Sequence, residues 1–163
     1  MSRRVLVLLL GTNDGRPVDL YQDLQARTAL ATAKGIGIDV EVVFSAAFGQ
    51  YRVIRKRLSE TASPLDAVVL ESNYDPQMLA RGPYPPWLQD RIRGPGGHLS
   101  NQEAATFLQS VTTPSLKGVF LAHLSDTNNC PALAFQAAEE ALGDIDIPLY
   151  LTHQDNTSKV VTV

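Results

Sequence analysis

The sequence predicts a three-layer α/β sandwich built on a mostly parallel sheet of five to six strands. Short β-branched runs alternate with longer amphipathic segments, at a spacing that calls for parallel pairing through right-handed crossovers. The first run, residues 4–10 (RVLVLLL), is nearly continuous in apolar side chains, as a strand covered on both faces is. A composition of 44% hydrophobic and 19% charged residues over 163 positions suits one core, so residues 1–163 are expected to form a single domain.

The elements follow in order. After the strand at 4–10, Gly11-Thr12-Asn13-Asp14-Gly15 is turn chemistry. Residues 17–34 read as a helix, with Pro17 in its first turn, Leu20, Leu24 and Ala31 at helical spacing, and Lys34-Gly35 as its stop. Residues 39–45 (DVEVVFS) form a second strand, 49–60 a basic helix, and 66–71 (DAVVLE) a third strand. A proline-rich passage, Pro83-Tyr84-Pro85-Pro86-Trp87, leads into a short helix at 87–93. Ser100-Asn101-Gln102-Glu103 is a capping-box pattern that opens a helix running to Gln109. Residues 118–122 are a fourth strand, 131–142 a helix capped by Cys130 or Asn129, 147–152 a fifth strand, and 159–163 a short sixth. The arrangement is flavodoxin-like or Rossmann-like, with no internal repeat.

Composition narrows the function classes. A net charge of −3 without a concentrated basic surface points away from a dedicated nucleic-acid binder. The run Arg52-Arg55-Lys56-Arg57 reads as one solvated helix face. A single cysteine, Cys130, excludes an internal disulfide or a cysteine-based zinc site, and it reads as a small buried or capping residue. The apolar run after Arg3-Arg4 is too short for a signal peptide, and no stretch is long enough to cross a bilayer, so the chain is expected to be cytoplasmic. Gly11 to Gly15 matches neither a dinucleotide turn nor a phosphate loop, and no Gly-x-Ser-x-Gly elbow surrounds Ser45, Ser72 or Ser125. Trp87 reads as a packing anchor for its loop.

Polar residues gather after the strands: Asn13 and Asp14; Ser45; Ser72, Asn73 and Asp75; His123, Ser125 and Asp126; His153 and Asp155. In an open parallel sheet these carboxyl ends share one edge, where ligands bind. Asn13, Asp14, Ser45, Asn73, Asp75 and Ser125 are therefore candidate contacts for a small polar or anionic ligand. His123, His153 and Asp75, with Asp14 or Asp126, are candidate ligands for zinc or manganese. Loops of this kind also need Asn, Asp and Ser for turns and caps alone. His98 opens a helix N-terminus, a position that favours an anion.

Two resemblances add to this. Residues 66–163 resemble the C-terminal half of metallo-β-lactamase-fold hydrolases, in the bacterial branch of presumed phosphodiesterases or nucleases. The matching stretches are Val68 to Asp75, Gly82-Pro83-Tyr84-Pro85, Gly97-His98-Leu99-Ser100-Asn101, Ala122-His123-Leu124-Ser125 with Asn128-Asn129, and Leu151 to Asp155. The resemblance implies that His123 is a metal ligand. It departs from the pattern in lacking the His-x-His-x-Asp-His motif, and Ser45-Ala46 falls where those enzymes carry a bridging aspartate. Residues 1–62, through Val5 to Asp14, Val18-Asp19-Leu20-Tyr21, Asp39 to Phe44 and Gln50 to Arg55, resemble the first lobe of type I periplasmic sugar-binding proteins.

Taken together these imply a chimera, recombined or engineered, joined around Ala62–Asp66. The expectation that follows is a scaffold without evolved catalytic activity and without a cofactor, binding at most a small polar or anionic ligand. The alternatives are a metal-dependent hydrolase using zinc or manganese, and a partner-binding regulator whose contact surface is the helix at 49–60 or the loop at 83–87. An uncovered edge strand at 159–163 would allow a homodimer.

Overall fold

A computed structural model describes the backbone of residues 3–9 and 38–44, and residues 65–94 and 97–152 in full. The expected helices at 17–34 and 49–60 and the strand at 159–163 lie outside the described residues. The fold is α/β with a parallel sheet. Its strands are β1 (Arg3–Leu9), β2 (Ile38–Phe44), β3 (Ala67–Glu71), β4 (Gly118–Ala122) and β5 (Leu149–Leu151), in the order β2-β1-β3-β4-β5. All four pairings are parallel, with Val5 opposite both Val40 and Ala67, Ala67 opposite Gly118, and Val119 opposite Leu149. The chain order reverses between β1 and β3, which makes β3 both the central strand and one wall of the switch point.

Four helices are described: α1 (Pro76–Arg81), α2 (Pro86–Arg93), α3 (Asn101–Val111) and α4 (Pro131–Leu142). The helix α1 was not anticipated from the sequence. Asp75 caps it, accepting from the backbone N–H of Gln77 and Met78 at 2.9 Å each, and Pro76 presets the first turn. The capping box predicted for α3 is present, with Ser100 Oγ accepting from Glu103 N–H and Glu103 Oε2 accepting from Ser100 N–H.

The core follows from two periodicities. On the strands, Val68 and Leu70 lie opposite Val119 and Leu121 in register on one face. On α3, Ala104, Phe107, Leu108 and Val111 recur at helical spacing, and Ala134, Ala138 and Leu142 do so on α4. The small side chains of α4 let it pack closely beside α3. On the opposite face of the sheet Phe120 and Tyr150, paired in register, stack with centroids 4.9 Å apart. Trp87 differs from expectation. It is 65% exposed, on a short, polar helix with no buried residue, and so is not held in a packed core. Among the described residues, no helix is long and apolar enough to cross a membrane.

Leu108→Ala is expected to cost about 2–5 kcal/mol, since it opens a cavity in a fully buried position. Leu133→Ala, on the exposed side of α4, is expected to cost less than about 0.5 kcal/mol. Urea unfolding of both variants checks the difference.

Candidate functional site

Beyond Glu71 the backbone of β3 continues as an extension held on both sides. Ser72 N–H donates to Ala122 O at 2.9 Å and Ser125 N–H donates to Asn73 O at 2.8 Å. On the other flank Asn73 N–H donates to Leu99 O at 2.8 Å and Asn101 N–H to Tyr74 O at 2.9 Å. The loop before α3 and the loop after β4 are thus drawn to opposite sides of one segment. Each brings a histidine.

The two histidines meet on Glu71. Its carboxylate is fully buried, and Oε1 lies 2.8 Å from His98 Nδ1 and 2.6 Å from His123 Nδ1. Oε2 accepts from Leu99 N–H at 3.2 Å. The imidazole rings are 5.0 Å apart between centroids and cross at 67°. Burial pushes the Glu71 carboxyl up, but the hydrogen bonds and charges of His123 and His98 outweigh it and hold it below its ordinary value. Glu71 is therefore the acceptor, and both Nδ1 atoms donate. For His123 the hydrogen bond to Glu71 leads, against desolvation, and raises its pKa above 6.5.

Local backbone chemistry fixes both rings. His123 sits at φ +59°, a left-handed conformation uncommon outside glycine, and Asn73 Nδ2 clamps its carbonyl at 2.7 Å. Gly97, just before His98, packs so closely on the last turn of α2 that any Cβ would strike the carbonyls of Ile92 and Arg91. His98 N–H then donates to Ile92 O at 2.9 Å. Beneath the site Ser72, Asn101 and Asn129 form a buried amide network with bonds of 2.7–2.9 Å. In front of the site is a cleft of about 440 Å³ whose lining includes Asn73, Tyr84, Arg91, His98, His123 and Ser125.

Glu71, His98 and His123 together offer ligand atoms within 4.8 Å of one another, a group able to hold a metal ion. Two donors bound to one tetrahedral ion at roughly 2.0–2.2 Å would lie about 3.3–3.6 Å apart. The 2.6 and 2.8 Å separations are instead those of hydrogen bonds. The donor set fits a metal in another way. With Nδ1 committed to the carboxylate, each ring presents Nε2 as its free donor, which is how a carboxylate orients metal-binding histidines.

The sequence-predicted residues fall into three groups. His123, Asn73 and Ser125 line the cleft. Asp75 is the α1 cap, and its backbone N–H is bound to Asn128 O at 2.8 Å. Asn13, Asp14, Ser45 and His153 lie outside the described residues. Sequence reasoning missed Glu71 and left His98 as an anion site. The only available signal was a Glu closing an otherwise apolar strand.

The fold and site describe an α/β protein with a carboxylate-anchored histidine pair at the carboxyl edge of its sheet. Among curated proteins, the chain is 36% identical over 89 residues to exodeoxyribonuclease YycJ of Bacillus anthracis, covering 55% of this chain and 34% of that protein. It is 29% identical over 116 residues to exodeoxyribonuclease WalJ of Streptococcus pneumoniae serotype 2 (strain D39), covering 68% of this chain and 43% of the relative. The chain spans less than half the length of these curated relatives. No family model matches it, and no solved structure does.

These findings correct four expectations. A match covering 68% of the chain is longer than residues 66–163 can hold, so it runs across the supposed junction at Ala62–Asp66. A chimera with a sugar-binding lobe is thereby overturned. The scaffold without catalytic activity falls as well, because the matched relatives are named as nucleases. The expected absence of a cofactor gives way to the metal-competent cluster, whose buried Glu71 was hidden at the end of an apolar strand. The expected lack of a nucleic-acid surface, drawn from the net charge and the absence of a concentrated basic surface, does not stand beside relatives named for acting on DNA.

The pair fixes a pH dependence. Glu71, lowered, adds stability above 4.5 that is lost as pH falls through its folded pKa; His123, raised, adds stability below 6.5 that is lost as pH rises through its folded pKa. Metal-free protein is expected to keep both contributions between these values, and His123→Gln to flatten the alkaline limb of a melting-temperature profile. Gly97→Ala is expected to displace His98 and to shift the His98 ring resonances in NMR while the core stays folded.

Proposed function

We propose that the chain acts on DNA as part of a metal-dependent phosphodiesterase of the metallo-β-lactamase type, with the ion held at His98 and His123. The observation that carries this reading is the buried Glu71 carboxylate, which fixes both Nδ1 atoms and leaves two Nε2 donors at a cleft. The relatives named as exodeoxyribonucleases support it. A zinc or manganese ion here would polarise a phosphodiester and lower the pKa of a bound water. Asn73 and Ser125 are the residues we assign to contact the phosphate. His153, two positions past β5 in the sequence, is the next donor to test. The fold reading that goes with this is a flavodoxin-like, doubly wound sandwich over residues 1–163, supported by the strand order and the parallel pairings.

The sequence has three histidines and no His-x-His-x-Asp-His run, so one ion per chain is expected. Elemental mass spectrometry after incubation with zinc or manganese should find it at pH 8. It should be lost in His123→Ala and weakened near pH 5.5, where the raised pKa of His123 favours the proton over the metal. End-labelled DNA should be shortened only with metal present. Shortening that survives both chelation and His123→Ala overturns the proposal.

A further inference from the structure

We propose that Asn128 is a substrate contact, its side-chain Nδ2 donating to an oxygen of the phosphodiester beside Ser125, and that Gly82 is the residue that aims it. This rests on the DNA reading above and deepens it by naming an atom that takes the phosphate and what positions it.

The amide of Asn128 is buried and unpaired. The residue is 1% exposed, and it belongs to the lining of the cleft that also includes His98, His123 and Ser125. Its backbone is fully committed: the N–H donates to Ser125 Oγ at 3.1 Å, and the carbonyl accepts from Asp75 N–H at 2.8 Å. Its side chain is not. Oδ1 is sealed from solvent without a hydrogen-bond partner, and Nδ2 makes no hydrogen bond among the described residues either. The large majority of buried polar side chains find a partner, because an amide desolvated without one costs stability. Asn101 and Asn129, also buried, show the ordinary outcome by bonding each other. An amide left open at a cleft is a group kept for a ligand.

Gly82 decides which end of the amide the cleft receives. A Cβ on Gly82 would stand 2.5 Å from Asn128 Oδ1 and 2.9 Å from Met78 O, so only a bare Cα makes room for that oxygen. Gly82 is outside the cleft lining. Oδ1 is thereby turned toward the end of α1, and Nδ2, which diverges from it at the planar carbon, is the amide atom left to the cleft. Of the two, it alone is not sealed off. A second donor stands on the same turn. Ser125 Oγ accepts from Asn128 N–H, which leaves the hydroxyl proton without an acceptor among the described residues. Two uncommitted donors, with no acceptor between them to satisfy, suit an acceptor-only group such as the anionic oxygens of a phosphodiester. A base edge would call on the donor and the acceptor of the amide together, and Oδ1 is spent against Gly82.

Full-length protein labelled with nitrogen-15 is held in chelator, so that nothing is cleaved, and titrated with a short oligodeoxynucleotide, its methylphosphonate analogue and inorganic phosphate. The side-chain NH2 signals of Asn128, assigned by their loss in Asn128→Ala, are expected to move saturably with the oligodeoxynucleotide and not with the analogue, which lacks the anionic oxygen. Asn128→Ala should bind the oligodeoxynucleotide about tenfold more weakly, the loss of one hydrogen bond to a charged oxygen. It should melt no lower than the unsubstituted chain, since it removes an unpaired amide. Gly82→Ala should weaken binding by a similar factor, and the double variant no further than Asn128→Ala alone, because Gly82 acts through the amide. Unmoved signals, equal movement with the methylphosphonate, or movement with inorganic phosphate and none with the oligodeoxynucleotide each overturn the contact. So do undiminished affinity or a lowered melting temperature in Asn128→Ala, and an additive loss in the double variant removes Gly82 from its role. With metal added, binding that depends on Asn128 without DNA shortening supports the contact and counts against the phosphodiesterase reading. Shortening with unchanged KM in Asn128→Ala overturns the contact and leaves that reading standing.

Discussion

A carboxylate removed from water is the constraint on which the described structure turns. Moving such a charge out of solvent costs several kcal/mol even after relaxation, unless donors replace the lost hydration. Glu71 is fully buried, and three donors replace it: two imidazole N–H groups and the backbone N–H of Leu99. None of these comes from β3. They arrive on the loop before α3 and the loop after β4, so the carboxylate is stable only once both crossovers have closed. The backbone bonds along residues 72–75 make that closure rigid.

The features around Glu71 that look costly in isolation serve this delivery. His123 adopts a left-handed backbone conformation, which costs of order 1–3 kcal/mol and persists only where neighbours enforce it. The neighbour is Asn73, one residue past the extension's start, through its amide to the His123 carbonyl. Under the same extension Asn101 and Asn129 bind each other and Ser72, so that the polar groups of three elements are satisfied without water. Asn128 Oδ1 is the exception: it is buried without a hydrogen-bond partner among the described residues, and it lies where a Cβ on Gly82 would collide with it.

The regular elements were legible in the sequence because they follow the two hydrophobic periods. Strands β3 and β4 and helices α2, α3 and α4 fall within one or two residues of where alternation, capping and glycine stops put them. The start of α1 was legible too, since Asp75-Pro76 is a cap followed by a first-turn proline, but Asp75 was given to metal chemistry and the helix was overlooked. The site itself was half visible. His123 could be placed because it follows a strand, and a strand's carboxyl end is a known edge. Glu71 could not, because nothing local marks a strand-terminal glutamate as buried. Its partners are 27 and 52 residues away, and only the tertiary closure of two loops reveals the pairing. Trp87 failed for the opposite reason, since an aromatic among prolines implies packing only when a core lies nearby.

The arrangement also bears on why histidines, and not lysines or arginines, neutralise Glu71. A lysine would cancel the charge and end there, because its ammonium has no second donor atom to offer. An imidazole can satisfy the carboxylate through Nδ1 while its Nε2 remains at the cleft, carrying either a proton or a cation. The buried negative charge favours both occupants for the same electrostatic reason, raising the affinity of His123 for a proton in the metal-free protein and its basicity toward a metal. Folding and ligand capture therefore draw on one interaction. Replacing Glu71 by glutamine would keep the shape of the pair and remove the charge, separating what the carboxylate does as an anchor from what it does as a field.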